Sequence, residues 1–212
     1  MGCIRDAVQL LNEKGQSVRA YKIAKQFMSA DEAREMYVII AKSYESEKKF
    51  QEAERIYIAC NDVDAAISMY KNNQEYDSMI RLVKRYHPDL LQETCIYLAK
   101  ELESKNLFKQ AECYYLMAGD WQQAIVMYKN NSKWEDAYRV ARSSGGTSLA
   151  KQVAFHWAKD MSDIQQSITL LNKFGLLNQV VDYSLENKEF EFALALISNS
   201  DDLQVSVCQY YT

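Results

Sequence analysis

Ala66-Ile67-Ser68-Met69-Tyr70 recurs as Ala124-Ile125-Val126-Met127-Tyr128, and a looser version, Ala7-Val8-Gln9-Leu10-Leu11, stands near the start of the chain. The offsets are 59 residues (7 to 66) and 58 residues (66 to 124). A second series, Ala41-Lys42, Ala99-Lys100 and Ala158-Lys159, keeps the same period. Self-similarity at a fixed spacing marks an array in which each unit buries its apolar face against the next.

A shorter signature runs inside each unit: a bulky residue followed three positions later by a small or flexible one. It appears at Phe50/Ala53, Tyr76/Met79, Phe108/Ala111, Trp134/Ala137 and Phe190/Ala193. The bulky residue seats a helix, and the small one lets a second helix approach closely. Each long unit is therefore two helical hairpins, in the manner of tetratricopeptide (TPR) repeats. The pattern predicts an all-α fold, a right-handed superhelical solenoid of about 14–15 helices forming one domain over residues 1–212. Helices are expected near 4–14, 17–28, 31–47, 50–60, 62–72, 76–86, 88–105, 108–118, 120–130, 134–143, 148–160, 163–173, 176–187, 189–198 and 201–210.

Composition agrees. Of 212 residues 25% are charged, with only 6 Gly and 1 Pro to supply turns. Net charge is −4, which argues against a nucleic-acid partner, because phosphate neutralisation calls for a basic excess. The five cysteines (Cys3, Cys60, Cys95, Cys113, Cys208) contain no C-x-x-C pair, so they read as free thiols of a reducing compartment. No apolar run approaches the roughly 18 residues of a membrane span, and no signal-peptide core is present, so a soluble chain is expected. Asp6 stands where an N-myristoylation site wants Ser or Thr. The sequence opens inside a repeat, which suggests a piece excised from a longer array.

Capping signals support the segmentation. Ser29-Ala30-Asp31-Glu32 and Ser162-Asp163-Ile164-Gln165 read as capping boxes. Pro88 suits a first helical position, where a missing N–H costs nothing. Tyr70-Lys71-Asn72-Asn73 and Tyr128-Lys129-Asn130-Asn131 end helices alike, with asparagine expected in the left-handed cap. Ser143-Ser144-Gly145-Gly146 reads as the most flexible stretch. Beyond it, Ile168-Thr169-Leu170-Leu171-Asn172 echoes Val8-Gln9-Leu10-Leu11-Asn12 at 160 residues, where three full units would give about 176. Roughly one helix is then missing, and a change of curvature near 143–166 is expected instead of a domain boundary.

No catalytic, cofactor-binding or metal-binding set emerges, so neither an enzyme nor a small-molecule substrate is predicted. Repeat equivalence gives a test: a residue matched by an apolar one elsewhere belongs to a packed face. Trp121 matches Val63, Trp134 matches Tyr76, and Trp157 matches Leu98 and Ile40. His156 matches Tyr97 and Ile39, which predicts partial burial, and His87 before Pro88 reads as a turn residue. Gly145-Gly146 lacks the Lys-Ser/Thr of a phosphate loop. Acidic residues are assigned to exposed helix faces, Glu45 matching Glu103 and Glu54 matching Glu112.

The one pattern with functional promise is basic. Lys22, Arg81 and Arg139 are repeat-equivalent, as are Lys25, Lys84 and Arg142, and Lys42, Lys100 and Lys159 form another series. Equivalent positions of an array line up, so the first six predict a basic ladder. It would be either solvated charge paired with acidic neighbours, or a docking surface for an acidic helix or an anionic membrane.

Specific strings carry a family likeness. Asp64-Ala65-Ala66-Ile67-Ser68-Met69-Tyr70, Tyr76-Asp77-Ser78-Met79-Ile80-Arg81-Leu82-Val83 and His87-Pro88-Asp89-Leu90-Leu91 closely resemble the intraflagellar transport protein 172 family. Ala99-Lys100-Glu101-Leu102-Glu103, Trp134-Glu135-Asp136-Ala137-Tyr138-Arg139-Val140-Ala141 and Leu170-Leu171-Asn172-Lys173 extend the likeness from about residue 6 to 197. Generic TPR repeats lack the His-Pro-Asp-Leu-Leu string.

The resemblance implies a solenoid piece, without the family's N-terminal WD40 propellers, of a subunit of intraflagellar transport complex B. That complex is part of the motor-driven train supporting ciliary transport and cilium assembly. The implied role is a scaffold for other complex B subunits and neighbouring copies in the train. The implied location is the cilium or flagellum and basal body, on the cytoplasmic face. A complex A subunit or a coat-type vesicle protein of like design is the alternative within that architecture; binding to an anionic membrane surface is the alternative from another class.

Overall fold

In a computed structural model, which describes residues 2–200, fourteen α-helices follow one another without a strand among the described residues. They are α1 Gly2–Glu13, α2 Ser17–Phe27, α3 Ala30–Ser46, α4 Phe50–Ala59, α5 Val63–Asn72, α6 Tyr76–Tyr86, α7 Leu91–Ser104, α8 Phe108–Met117, α9 Trp121–Asn130, α10 Trp134–Val140, α11 Gly146–Asp160, α12 Ile164–Lys173, α13 Leu177–Glu186 and α14 Phe190–Ser198. The all-α, TPR-like expectation holds. The helix expected at 201–210, and with it Cys208, lies outside the described residues.

The chain forms two compact units, Met1–Thr94 and Cys95–Thr212. In the first, α1 packs on α2, α3 on α4 and α5 on α6, with α2 also against α4. Alanines at Ala20, Ala24, Ala33, Ala41, Ala53 and Ala66 are fully buried at these crossings, and Tyr37, Ile56 and Leu82 fill the space between. Small side chains bring helix axes to the short end of the 8–10 Å range. In the second unit Ala111, Ala124, Ala137, Ala158 and Ala193 play the same part around Tyr115, Tyr128 and Leu171. The small member of each sequence pair is thus core. The bulky member is not: Phe50, Tyr76, Phe108 and Trp134 are half-buried and Phe190 is exposed. Each of these five is the first residue of its helix, so its ring lies over a turn and not in the centre of a helix contact.

The turns repeat as faithfully as the helices. Gly15, Gln74 and Ser132, equivalent in sequence, all have positive φ (72°, 61° and 53°). In each case the next amide closes back onto the end of the helix, as Glu75 N–H does to Tyr70 C=O (2.9 Å) and Lys133 N–H to Tyr128 C=O (2.9 Å). That is the Schellman closure of a helix end. The asparagines expected in the left-handed position sit one residue earlier. Asn73 and Asn131 keep negative φ and donate their side-chain amides to Met69 and Met127 carbonyls, both at 2.8 Å.

At the helix starts, Ser29 closes the expected capping box with Glu32. Near α12 the cap is Asp163, accepting from Gln165 N–H at 3.0 Å, and not Ser162. Pro88 opens a short 3₁₀ turn, Pro88–Leu90, that feeds α7.

Ser143-Ser144-Gly145-Gly146 is not a loop. Ala141–Gly145 form a π-helical turn at the end of α10, and Gly146, at φ 78° and ψ −176°, breaks the helical path before α11. Glycine suits both positions: a Cβ on Gly145 would make the Leu149 side chain shift and press on Trp121, and Gly146 has φ 78°. Past this point α11 packs against both α12 and α13, and α13 against α14.

Candidate interaction surface

Lys22 and Lys25 stand on α2, Arg81 and Lys84 on α6, Arg139 on α10, and Arg142 in the π turn; all six residues are exposed. Their chemistry separates them into two kinds. Arg81 grips Glu54 with both arms of its guanidinium, Nη1 to Oε1 at 3.1 Å and Nη2 to Oε2 at 2.5 Å. Arg139 donates Nη2 to Glu112 at 2.6 Å and lies 3.4 Å from Asp136, which also pairs with Lys109. Lys22, Lys25, Lys84 and Arg142 make no ion pair among the described residues; Lys25 instead lies 5.7 Å from the centre of the Tyr21 ring.

The partners of the two arginines overturn an expectation. Glu54 and Glu112 are not on exposed faces: they are 8% and 7% exposed. A carboxylate taken out of water needs both charge compensation and full hydrogen bonding. Here the second donor is tyrosine: Tyr70 Oη donates to Glu54 at 2.6 Å, and Tyr128 Oη to Glu112 at 2.6 Å. The two clusters are superimposed in sequence, 54, 70 and 81 becoming 112, 128 and 139. Burial pushes each glutamate's pKa up, but the hydrogen bonds from arginine and tyrosine outweigh it and hold both carboxyls below their ordinary value. Burial, and then the bond to the glutamate, push the Tyr70 and Tyr128 hydroxyls well up. A second repeated pair sits nearby, Tyr115 Oη donating to Glu103 at 2.8 Å with Tyr57 beside Glu45 in the corresponding place.

Each cluster ties three consecutive helices, α4–α5–α6 and α8–α9–α10. Arg81 and Arg139 are held by the fold, which leaves Lys22, Lys25 and Lys84 in the first unit and Arg142 in the second exposed and without an ion pair among the described residues. The signal for this was present in the sequence: a Glu, a Tyr and an Arg all recurring with one offset, where a merely solvated charge has no reason to keep its spacing to a tyrosine.

Other candidates are placed plainly. Trp121, Trp134 and Trp157 are half-buried; Trp134 Nε1 donates to Asp160 at 2.9 Å, and Trp157 packs on Phe174. His87 caps α6, with Nε2 3.1 Å from Asp64 Oδ1. His156 is exposed and not on a packed face, as are its equivalents Tyr97 and Ile39. An apolar match across repeats thus marks an exposed position here. Cys60 and Cys95 are buried free thiols and Cys113 is an exposed one. Among the described residues no three His, Cys, Asp or Glu side chains gather as a metal site, and no helix is long and apolar enough to cross a membrane.

A model of the TPR domain shared by intraflagellar transport proteins 140 and 172 matches residues 10–209. The chain is 45% identical over 193 residues to the zebrafish (Danio rerio) intraflagellar transport protein 172 homolog and 44% over 192 residues to that of Drosophila melanogaster. It is 37% identical over 194 residues to the Chlamydomonas reinhardtii intraflagellar transport protein 172. Each match covers 91% of this chain and 11% of the relative, so the chain spans about a tenth of the length of the curated relatives it matches.

Proposed function

The chain belongs to the TPR-domain family of intraflagellar transport proteins 140 and 172, and from that premise we propose that it is a non-enzymatic scaffold segment of the intraflagellar transport machinery. It presents helical-hairpin surfaces to other complex B subunits, and to neighbouring copies in the train, at the cilium or flagellum and its basal body. In this reading it supports ciliary transport and cilium assembly. The observation that carries the proposal is identity of 44–45% to intraflagellar transport protein 172 homologs sustained over 91% of the chain. The repeated Glu–Tyr–Arg clusters support it physically. They fix consecutive helices against one another, and a rigid array presents a binding face at low entropic cost.

Affinity capture from ciliary extract, with the chain as bait, tests the proposal. Train subunits are expected in the eluate; coat proteins without train subunits would reject it.

A second reading, docking on an anionic membrane, rests on Lys22, Lys25, Lys84 and Arg142, which are exposed and without an ion partner among the described residues. Each basic side chain near such a surface contributes on the order of 1 kcal/mol. Flotation with anionic vesicles at low and high salt tests it, since salt screens this attraction.

A further inference from the structure

One face of α3 is open. Met36, Ile39 and Ile40 of α3 and Val8 of α1 line a groove of about 920 Å³ that continues from Glu32 to Glu47. Those residues span roughly 22 Å of helix, about four turns. Ile39, one of these lining residues, is 63% exposed. The walls carry one sign of charge: Glu32, Glu35 and Glu47 line the groove, and no Lys or Arg does among the described residues. Glu32 closes the cap with Ser29 and Glu47 meets Lys49 at 2.6 Å, whereas Glu35 has no ion partner among the described residues. Asn12, also lining the groove, is 5% exposed and stands beside the buried Tyr37 hydroxyl.

We propose that this groove between α1 and α3 receives an amphipathic helix of a partner protein, with an apolar stripe on Met36, Ile39 and Ile40 and Lys or Arg flanking it. The proposal rests on the scaffold reading above and names the chemistry of one partner. An apolar strip of about two turns, Met36 to Tyr44, set in a longer groove fits a short helix laid in it, with anchors spaced i, i+3, i+4 and i+7. The glutamates select the sign of the flanks and steer the encounter, while burial of Ile39 and Met36 supplies affinity. The net charge of −4 on this chain argues for a basic partner and against a second copy.

Two designed helical peptides test this. They share one Leu/Met stripe; one is flanked by lysine and the other by glutamate. With methyl-labelled methionine, the lysine peptide is expected to shift the Met28 and Met36 resonances and the glutamate peptide to leave them unmoved. Ile39→Glu should weaken the lysine peptide at least about tenfold, as loss of an anchor does. Glu35→Lys should weaken the lysine peptide and admit the glutamate one. Both residues are exposed, so the fold is retained, and circular dichroism verifies it.

Equal binding of the two peptides, or binding that leaves Met28 and Met36 unmoved, overturns the proposal. So does a monomer–dimer equilibrium that Ile39→Glu abolishes, which would give the face to a second copy. If Ile39→Glu captures the same train subunits from extract as the unmodified chain, the groove is wrong and the scaffold stands. If the unmodified chain captures none, the scaffold reading itself fails.

Discussion

Tyr70 donates its hydroxyl to the buried carboxylate of Glu54 across 2.6 Å, and this contact recurs 58 residues later, from Tyr128 to Glu112, at the same distance. A buried carboxylate is costly to keep. It persists in both places because an arginine from the following helix completes its shell, Arg81 in one cluster and Arg139 in the other. The consequence is a polar pin through three helices, in positions that a hydrophobic pattern would assign to solvent.

Removing the carboxylate charge should cost stability in a pH-dependent way. Glu54 and Glu112 have folded-state pKa values below the ordinary 4.5. Their contribution is therefore complete above that value and is lost as pH falls through the lower folded one. Glu54→Gln or Glu112→Gln should lose about 1–2 kcal/mol at pH 7, discounted for the half-exposed arginines. Urea unfolding at pH 7 and below pH 4 should show the gap between variant and parent closing in acid.

Charge reversal should sort the basic residues. Arg81→Glu sets a second carboxylate against Glu54, and should lower the melting temperature by several degrees, the equivalent of about 1–3 kcal/mol. Lys84→Glu, at an exposed position without an ion partner among the described residues, should stay within about 0.5 kcal/mol of the parent. Calorimetry of the two variants makes the comparison. Of the six repeat-equivalent basic residues, Lys22, Lys25, Lys84 and Arg142 can then report on binding without a confounding loss of fold.

Gln74 holds a left-handed conformation that its repeat equivalent Gly15 adopts freely. Gln74→Gly should stabilise the first unit by roughly 0.5–1 kcal/mol, the relief of a side chain from that region outweighing the added chain entropy. Gly15→Ala should destabilise it by a similar amount. Paired urea titrations should give shifts of opposite sign.

Thiol reactivity should follow burial. Burial raises the pKa values of Cys60 and Cys95, while Cys113 is exposed. Of these three, iodoacetamide should modify Cys113 first in the folded chain, and Cys60 and Cys95 only after denaturant is added; peptide mass mapping over time reads the order.

Much of this architecture is written in periodicity. The 58- and 59-residue offsets, the Ala residues at helix crossings and the Ser29 cap are local or repeated features, and they specify hairpins before any long-range contact forms. The family likeness rests on strings such as His87-Pro88-Asp89-Leu90-Leu91 and is equally a property of the sequence. Helix ends were legible to within a few residues because turn chemistry is local. Even there, Asn73 donates a side-chain cap where a left-handed backbone was expected, since both roles satisfy helix-end carbonyls and only the folded turn chooses between them.

What the sequence by itself determined is the all-α hairpin array, its period and the family to which it belongs, because these depend on residue spacing and identity alone. The tertiary structure decided which charges face inward. Glu54 and Arg81 are 27 residues apart and look like two solvated side chains on separate helices; packing of α4 against α5 and α5 against α6 brings them to 2.5 Å around Tyr70. Burial is a property of the assembled helices and not of any one of them. For the same reason Ile39, Tyr97 and His156 read as core in sequence and are exposed in the fold, and Ile39 lines a groove.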